Sequence, residues 1–269
     1  MNERVRPQSP LWARLILASV LGLLYLPLLV MIINSVLIKN QEGWSLTLSW
    51  YREIFSDREI LDAVERSFFV SVSSAFIATL IGTAASVAVN RSAFRLRLPL
   101  EVMSFVSLIV PELVFALALL SWFFVLHIPL SLYTVIIAHV TFSLSFVILT
   151  VGARLTSMDP SVEDAARDLG ASEYKILFSV TLPLLAPAIG AAFVLSLLLS
   201  FDDFLITYFT NGVGSDTLPI KLYGALKMGI TPKLSALSTL MFLFTLLLIL
   251  FGLRGRALRD VTGLRSRDP

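Results

Sequence analysis

Residues 159–187 read DPSVEDAARDLGASEYKILFSVTLPLLAP, a charged stretch set between long apolar segments. Asp159 before Pro160 suits an N-cap followed by proline at the first helical position, where a missing N–H has no partner to lose. Val162, Ala165, Ala166 and Leu169 recur at the i, i+3, i+4, i+7 spacing of one helix face, and Gly170 is placed to end the helix in a left-handed conformation. Ser172 caps a second helix with Glu173 in its first turn, and Ile176, Leu177, Val180 and Leu184 form its apolar side. Pro183 takes one N–H out of the ladder, so a break is expected near Leu182. Glu163, Asp164, Arg167, Asp168, Glu173 and Lys175 are too charged for lipid and too regularly placed for a flexible tail. The stretch therefore reads as ordered and aqueous. It either docks on a partner or lies along a membrane in contact only with its own helices.

Everything around it is apolar. Of 269 residues 57% are hydrophobic and 15% charged, with a mean hydropathy of +0.85, which places the chain in a bilayer. The absence of cysteine excludes a disulfide frame and any thiolate metal or redox centre. A formal charge of +2, with arginines spread over many loops, speaks against nucleic acid as a partner. No Gly-rich loop followed by lysine occurs, and no polar segment is large enough for an enzyme or nucleotide fold. No catalytic residue, metal ligand or cofactor site is assigned to this chain.

Six hydrocarbon-length spans are predicted, at about 15–38, 67–89, 98–126, 130–151, 188–209 and 234–253. They form an all-α polytopic domain over 15–253, with the 159–187 segment inside it, an arm at 1–14 and a basic tail at 254–269. Residues 39–66 read as a polar loop, held at the interface by Trp44, Trp50 and Tyr51. Ala78, Gly82 and Ser86 put small residues at four-residue intervals, which predicts close helix contact. Only His127, Ile128 and Pro129 separate the third and fourth spans, an antiparallel pair. In residues 210–233 the clearest pattern is one face of Leu218, Leu222, Ala225 and Leu226. Six spans put both termini on one side. That side, with the 90–97 connection and 152–187, holds 14 of the 21 lysines and arginines, which makes it cytoplasmic.

Glu112, His139, Asp202 and Asp203 fall inside the spans, where a carboxylate costs roughly 2.5–3.5 kcal/mol unless it has a partner or a polar cavity. Counting residues at about 1.5 Å each puts them at overlapping depths. Two arrangements stay open: at least one acid lines the path of a cationic solute, or Glu112 and His139 pair structurally while Asp202 and Asp203 sit near the outer surface. Pro111 and Pro219 mark backbone breaks that free groups for a solute or are inert kinks.

Residues 164–183, DAARDLGASEYKILFSVTLP, resemble the cytoplasmic signature of permease subunits of binding-protein-dependent ABC importers. That pattern is Glu-Ala-Ala, three residues, Gly, nine residues, Ile, one residue, Leu-Pro. Ala165, Ala166, Gly170, Leu182 and Pro183 match in register, with Asp164 for Glu and Val180 for Ile. SFDDFLITYF (200–209), TLPIKLYGALKMGITPKLSALSTL (217–240), HVTFSLSFVIL (139–149) and PELV (111–114) are similar to the second permease subunit of spermidine/putrescine importers. The resemblance implies a type I ABC importer permease of the inner membrane, in which Glu163, Asp164, Ala165, Ala166, Gly170, Leu182 and Pro183 couple to an ATPase. It also implies partners: a homologous second permease in a heterodimer, two cytoplasmic ATPase subunits that hydrolyse the ATP, and an extracytoplasmic solute-binding protein, with lipid around the spans. Related branches carry ferric iron, thiamine, phosphonates or opines, and a non-transporting membrane scaffold is the alternative of another class.

Overall fold

A Cβ built on Gly82 would lie 2.6 Å from Val147 Cγ1, so two helices pass here at a separation that only glycine allows. The structure is a computed structural model that describes residues 11–40, 43–91 and 109–263, together with 102, 104 and 105. In chain order its elements are α1 (Leu11–Val36), β1 (Leu37–Asn40), β2 (Gly43–Leu46), α2 (Ser49–Ser56), α3 (Arg58–Arg91), α4 (Glu112–Val125) and α5 (Leu132–Thr156). These are followed by α6 (Ser161–Asp168), α7 (Glu173–Ile176), a π-helical turn (Leu177–Thr181), α8 (Leu182–Phe201), α9 (Leu205–Thr210), α10 (Leu218–Met228) and α11 (Pro232–Gly263).

The chain divides into two compact units. The first comprises residues up to Asp57 with Ala225–Leu243. Its α1 is apolar on every side and buries only Ser35, as a helix surrounded by lipid does. The strands pair antiparallel, Leu37 opposite Leu46 and Asn40 opposite Gly43, whose φ of +124° suits glycine alone. Tyr51 of α2 hydrogen-bonds Ser35 at 2.7 Å, and Trp50 Nε1 donates to the Leu37 carbonyl at 3.3 Å. Lys233 bridges Glu53 and Asp57 at 3.0 and 2.9 Å.

The second unit comprises Arg58–Gly224 and the chain from Phe244 onward. Its centre is α3, α5 and α8. The small-residue face of α3 packs as the spacing predicts: Ala78 is fully buried with Val147, Val151, Leu185 and Ala192, and Ser86 Oγ donates to the Ile148 carbonyl at 3.0 Å. A second cluster joins Ala116 and Phe123 of α4 to Ala138 of α5 and Ile206 of α9. Thus the third and fourth spans turn sharply at His127, whose φ is +54°, but α9 shares the packing between them.

Among the described residues, five helical stretches are long and apolar enough to cross a bilayer: α1, Arg58–Asn90, α5, Glu173–Phe201 and Pro232–Leu250. With the hairpin as its one sheet among the described residues, the fold is all-α and multi-spanning. Helix α4 is shorter, and most of 98–108, the first part of the expected third span, lies outside the described residues. So do Arg95 and Arg97 of the 90–97 connection, residues 1–10 of the arm and 264–269 of the tail.

Several expectations are corrected. Residues 39–66 are no simple loop: β1 and β2 pair there, and α2 and about the first two and a half turns of α3 follow, with Glu59 in the first turn of α3 where a helix favours an anion. The fifth span stops at Phe201 and restarts at Leu205, for a reason that belongs to Asp203. Residues 218–228 do form a helix, α10, as the Leu218, Leu222, Ala225 and Leu226 spacing suggests, with Leu218 and Pro219 buried and Leu226 50% exposed. Helix α11 continues through Arg254, Arg256 and Arg259 to Gly263, since no proline interrupts it.

Candidate functional site

The 159–187 segment folds as two helices joined at a glycine. The Asp159 carboxylate accepts the Ser161 N–H at 3.0 Å, which holds its pKa below the usual value, and α6 begins one residue later than an Asp159 cap with Pro160 at N1 would give. Gly170 has φ +80°; its N–H reaches the Arg167 carbonyl at 2.8 Å, and that of Ala171 reaches Ala166 at 3.0 Å. This pair of bonds is a Schellman motif, which satisfies the last carbonyls of α6 and reverses the chain. The Ser172 hydroxyl caps α7 by accepting the Lys175 N–H.

Val162, Ala165 and Leu169 are exposed, Leu169 to 89%, so the apolar face of α6 is left open on this chain. Its charged face is fastened. Arg167 Nη1 donates to Asp164 at 2.7 Å, its Nε to Glu173 at 2.7 Å, and Glu163 lies 3.7 Å from its Nη2. Glu163 in turn accepts the Thr181 hydroxyl at 2.6 Å. Thr181 closes the π-helical turn, after which Leu182 and Pro183 open α8, so the break expected at Leu182 is taken up by a wider turn. Glu163, Asp164, Ala165, Ala166 and Gly170 thus sit on one rigid elbow tied to the start of α8.

The intramembrane residues come together in the second unit. His139, 2% exposed, lies 3.1 Å through Nε2 from Asp203 Oδ1 and 3.0 Å from Thr207 Oγ1, while Nδ1 lies 2.6 Å from Ser200 Oγ. Asp203 also accepts the Thr207 N–H at 2.8 Å and the Thr207 hydroxyl at 2.9 Å. Its side chain therefore starts the ladder of α9 just after α8 has ended, which is why the span breaks there. Glu112, in the first turn of α4, hydrogen-bonds Asp203. Asp202 caps α8 and accepts the Thr245 hydroxyl at 3.2 Å. Glu112, Asp202, Asp203, Phe142, Phe204 and Thr245 border a cavity of about 520 Å³. His139 pairs with Asp203, which is buried, so the expected pairing of His139 with Glu112 is not formed. Pro111 starts α4 and Pro219 sits in the first turn of α10, so neither bends a helix from within.

Ser74, Ser200, Thr207 and Thr181 hold these sites and were not singled out from the sequence. The i, i+4 spacing of Asp203 and Thr207 was the available signal; the serines were indistinguishable from ordinary packing residues. Among the described residues no cluster of three or more His, Asp and Glu side chains has the geometry to hold a metal ion.

Residues 78–263 match the model of the binding-protein-dependent transport system inner membrane component family. The chain belongs to this family. The permease is 36% identical over 238 residues to the spermidine/putrescine transport system permease protein PotC of Escherichia coli (strain K12), covering 87% of this chain and 89% of that protein. It is 34% identical over 251 residues to the putrescine transport system permease protein PotI of the same strain, covering 89% and 88%. Its fold is shared with a chain of a bacterial ABC transporter involved in the import of the acidic polysaccharide alginate, at a TM-score of 0.69 and 15% identity over 91% of this chain and 93% of that one. The permease is a multi-pass helical component of the bacterial inner membrane with a transport role.

Proposed function

We propose that the permease carries a small organic cation of the polyamine class, spermidine or putrescine, inward across the membrane by alternating access. The observation that carries this reading is the cavity of about 520 Å³ bordered by Glu112, Asp202 and Asp203, in a chain whose relatives PotC and PotI are named for polyamine transport. Carboxylates there replace part of the hydration of a cation and reject anions. Asp202 also stands at the C-terminal end of α8, where the helix dipole adds negative potential.

In this reading six spans cross the bilayer, the third beginning near residue 98, and both termini and the 159–187 elbow face the cytoplasm. The 1–14 arm and the 254–269 tail flank the 15–253 membrane domain. The open apolar face of α6 seats on one of two ATPase subunits, which hydrolyse the ATP, and the Arg167, Glu163 and Thr181 contacts carry their movement into α8. A homologous second permease completes the pathway, and an extracytoplasmic binding protein delivers the solute. The test is uptake by the reconstituted complex, screened over putrescine, spermidine, ferric iron, thiamine and amino acids. ATP-dependent uptake of an amine alone is the expected result; preference for ferric iron, thiamine or an amino acid rejects the polyamine assignment and leaves the importer role.

A further inference from the structure

The hydrogen bonds around His139 run in one direction only. Ser74 Oγ lies 2.5 Å from the Val70 carbonyl, so its single proton is directed there. At the 2.9 Å contact between Ser74 and Ser200, Ser200 must then be the donor. With that proton used, the 2.6 Å contact between Ser200 Oγ and His139 Nδ1 needs a proton on Nδ1. On the other side of the ring, Thr207 gives its hydroxyl proton to Asp203 Oδ1, so Nε2 faces two acceptors, Asp203 at 3.1 Å and Thr207 at 3.0 Å, and must also donate.

The structure assigns His139 as a doubly protonated imidazolium that serves as a fixed counter-ion: it positions Asp203 at the cavity and sets the net charge that a translocating amine meets. The inference rests on the polyamine reading for its consequence, though not for the charge itself. The titratable groups facing the ring among the described residues are Asp203, and Glu112 through Asp203; Ser74 of α3, Ser200 of α8 and Thr207 of α9 supply the remaining polar contacts. Four helices are joined by this chain of contacts. With Asp203 compensated by His139, and Glu112 supplying the proton of its hydrogen bond to Asp203, Asp202 is the acid left to answer a solute's charge.

The chain contains two histidines, and the other, His127, is exposed in the turn before α5 with a φ of +54° that asparagine tolerates. A His127→Asn permease, assembled in its complex and labelled with nitrogen-15 in histidine, therefore reports on His139 alone. Both ring nitrogens are expected to carry a proton; one bare nitrogen overturns the assignment, whatever the transporter carries. The second measurement is competitive uptake of a triamine against a diamine by a His139→Gln complex, which keeps polar contacts on both sides but loses the charge. Triamine uptake relative to diamine is expected to rise several-fold. An unchanged ratio in an assembled complex overturns the charge-setting role, whereas failure of the unsubstituted complex to import any amine rejects the polyamine reading instead.

Discussion

Asp202 and Asp203 are neighbours in sequence with different duties. Asp203 is buried against His139, and removing one member of such a pair leaves the other charge without compensation, at a cost of about 3–5 kcal/mol. Asp203→Asn is thus expected to lower thermal stability and yield of the assembled complex in detergent. Asp202, which is exposed to the cavity and accepts the Thr245 hydroxyl, is the cleaner probe. Asp202→Asn should leave assembly intact and reduce amine uptake, as measured by initial rates; unchanged rates would remove this acid from the path. Gly170 poses a different constraint. At φ +80° with open space around it, a side chain meets no clash but a backbone cost of roughly 1–2 kcal/mol. Gly170→Val is expected to leave the protein inserted and to separate ATP hydrolysis from uptake, with stimulated uptake at the normal rate as the contrary result.

At the scale of elements, the contact between α3 and α5 depends on Gly82. A leucine there would have to displace Val147, itself fully buried, and overpacking of this kind costs about 1–3 kcal/mol. Gly82→Leu should lower the melting temperature of the purified complex without altering the residual rate per assembled unit. This contact was legible in the sequence, because small residues four apart have few uses in a membrane helix other than close approach. The elbow at Gly170 was legible too, since local hydrogen-bonding chemistry fixes a Schellman turn and an N-cap. The break of the fifth span was not. Phe-Asp-Asp-Phe sits in an apolar run with no glycine or proline, and the break follows from Asp203 capping α9 while meeting His139, 64 residues earlier. The hairpin of β1 and β2 was hidden for the opposite reason: its residues are few, mixed in character and shorter than any periodic signal.

For the molecule as a whole, the lack of cysteine is an experimental asset, because any cysteine introduced is the one thiol present in this chain. Leu169→Cys, at the exposed C-cap of α6, is expected to react with an impermeant maleimide added from the cytoplasmic side and to be shielded when the ATPase subunits are bound. Reaction from the outer side alone would invert the proposed orientation. The geometry also links this aqueous end to the interior acids in a way that distance conceals. A π turn holds one residue more than an α turn, and each residue swings whatever follows it by about 100° around the axis. The extra residue within Leu177–Thr181 therefore sets the compass bearing at which Asp202 leaves the far end of α8. If that turn were annealed into regular helix, the whole segment would rotate as a shaft, and the acid would point at a neighbouring wall without a single contact near it having been touched.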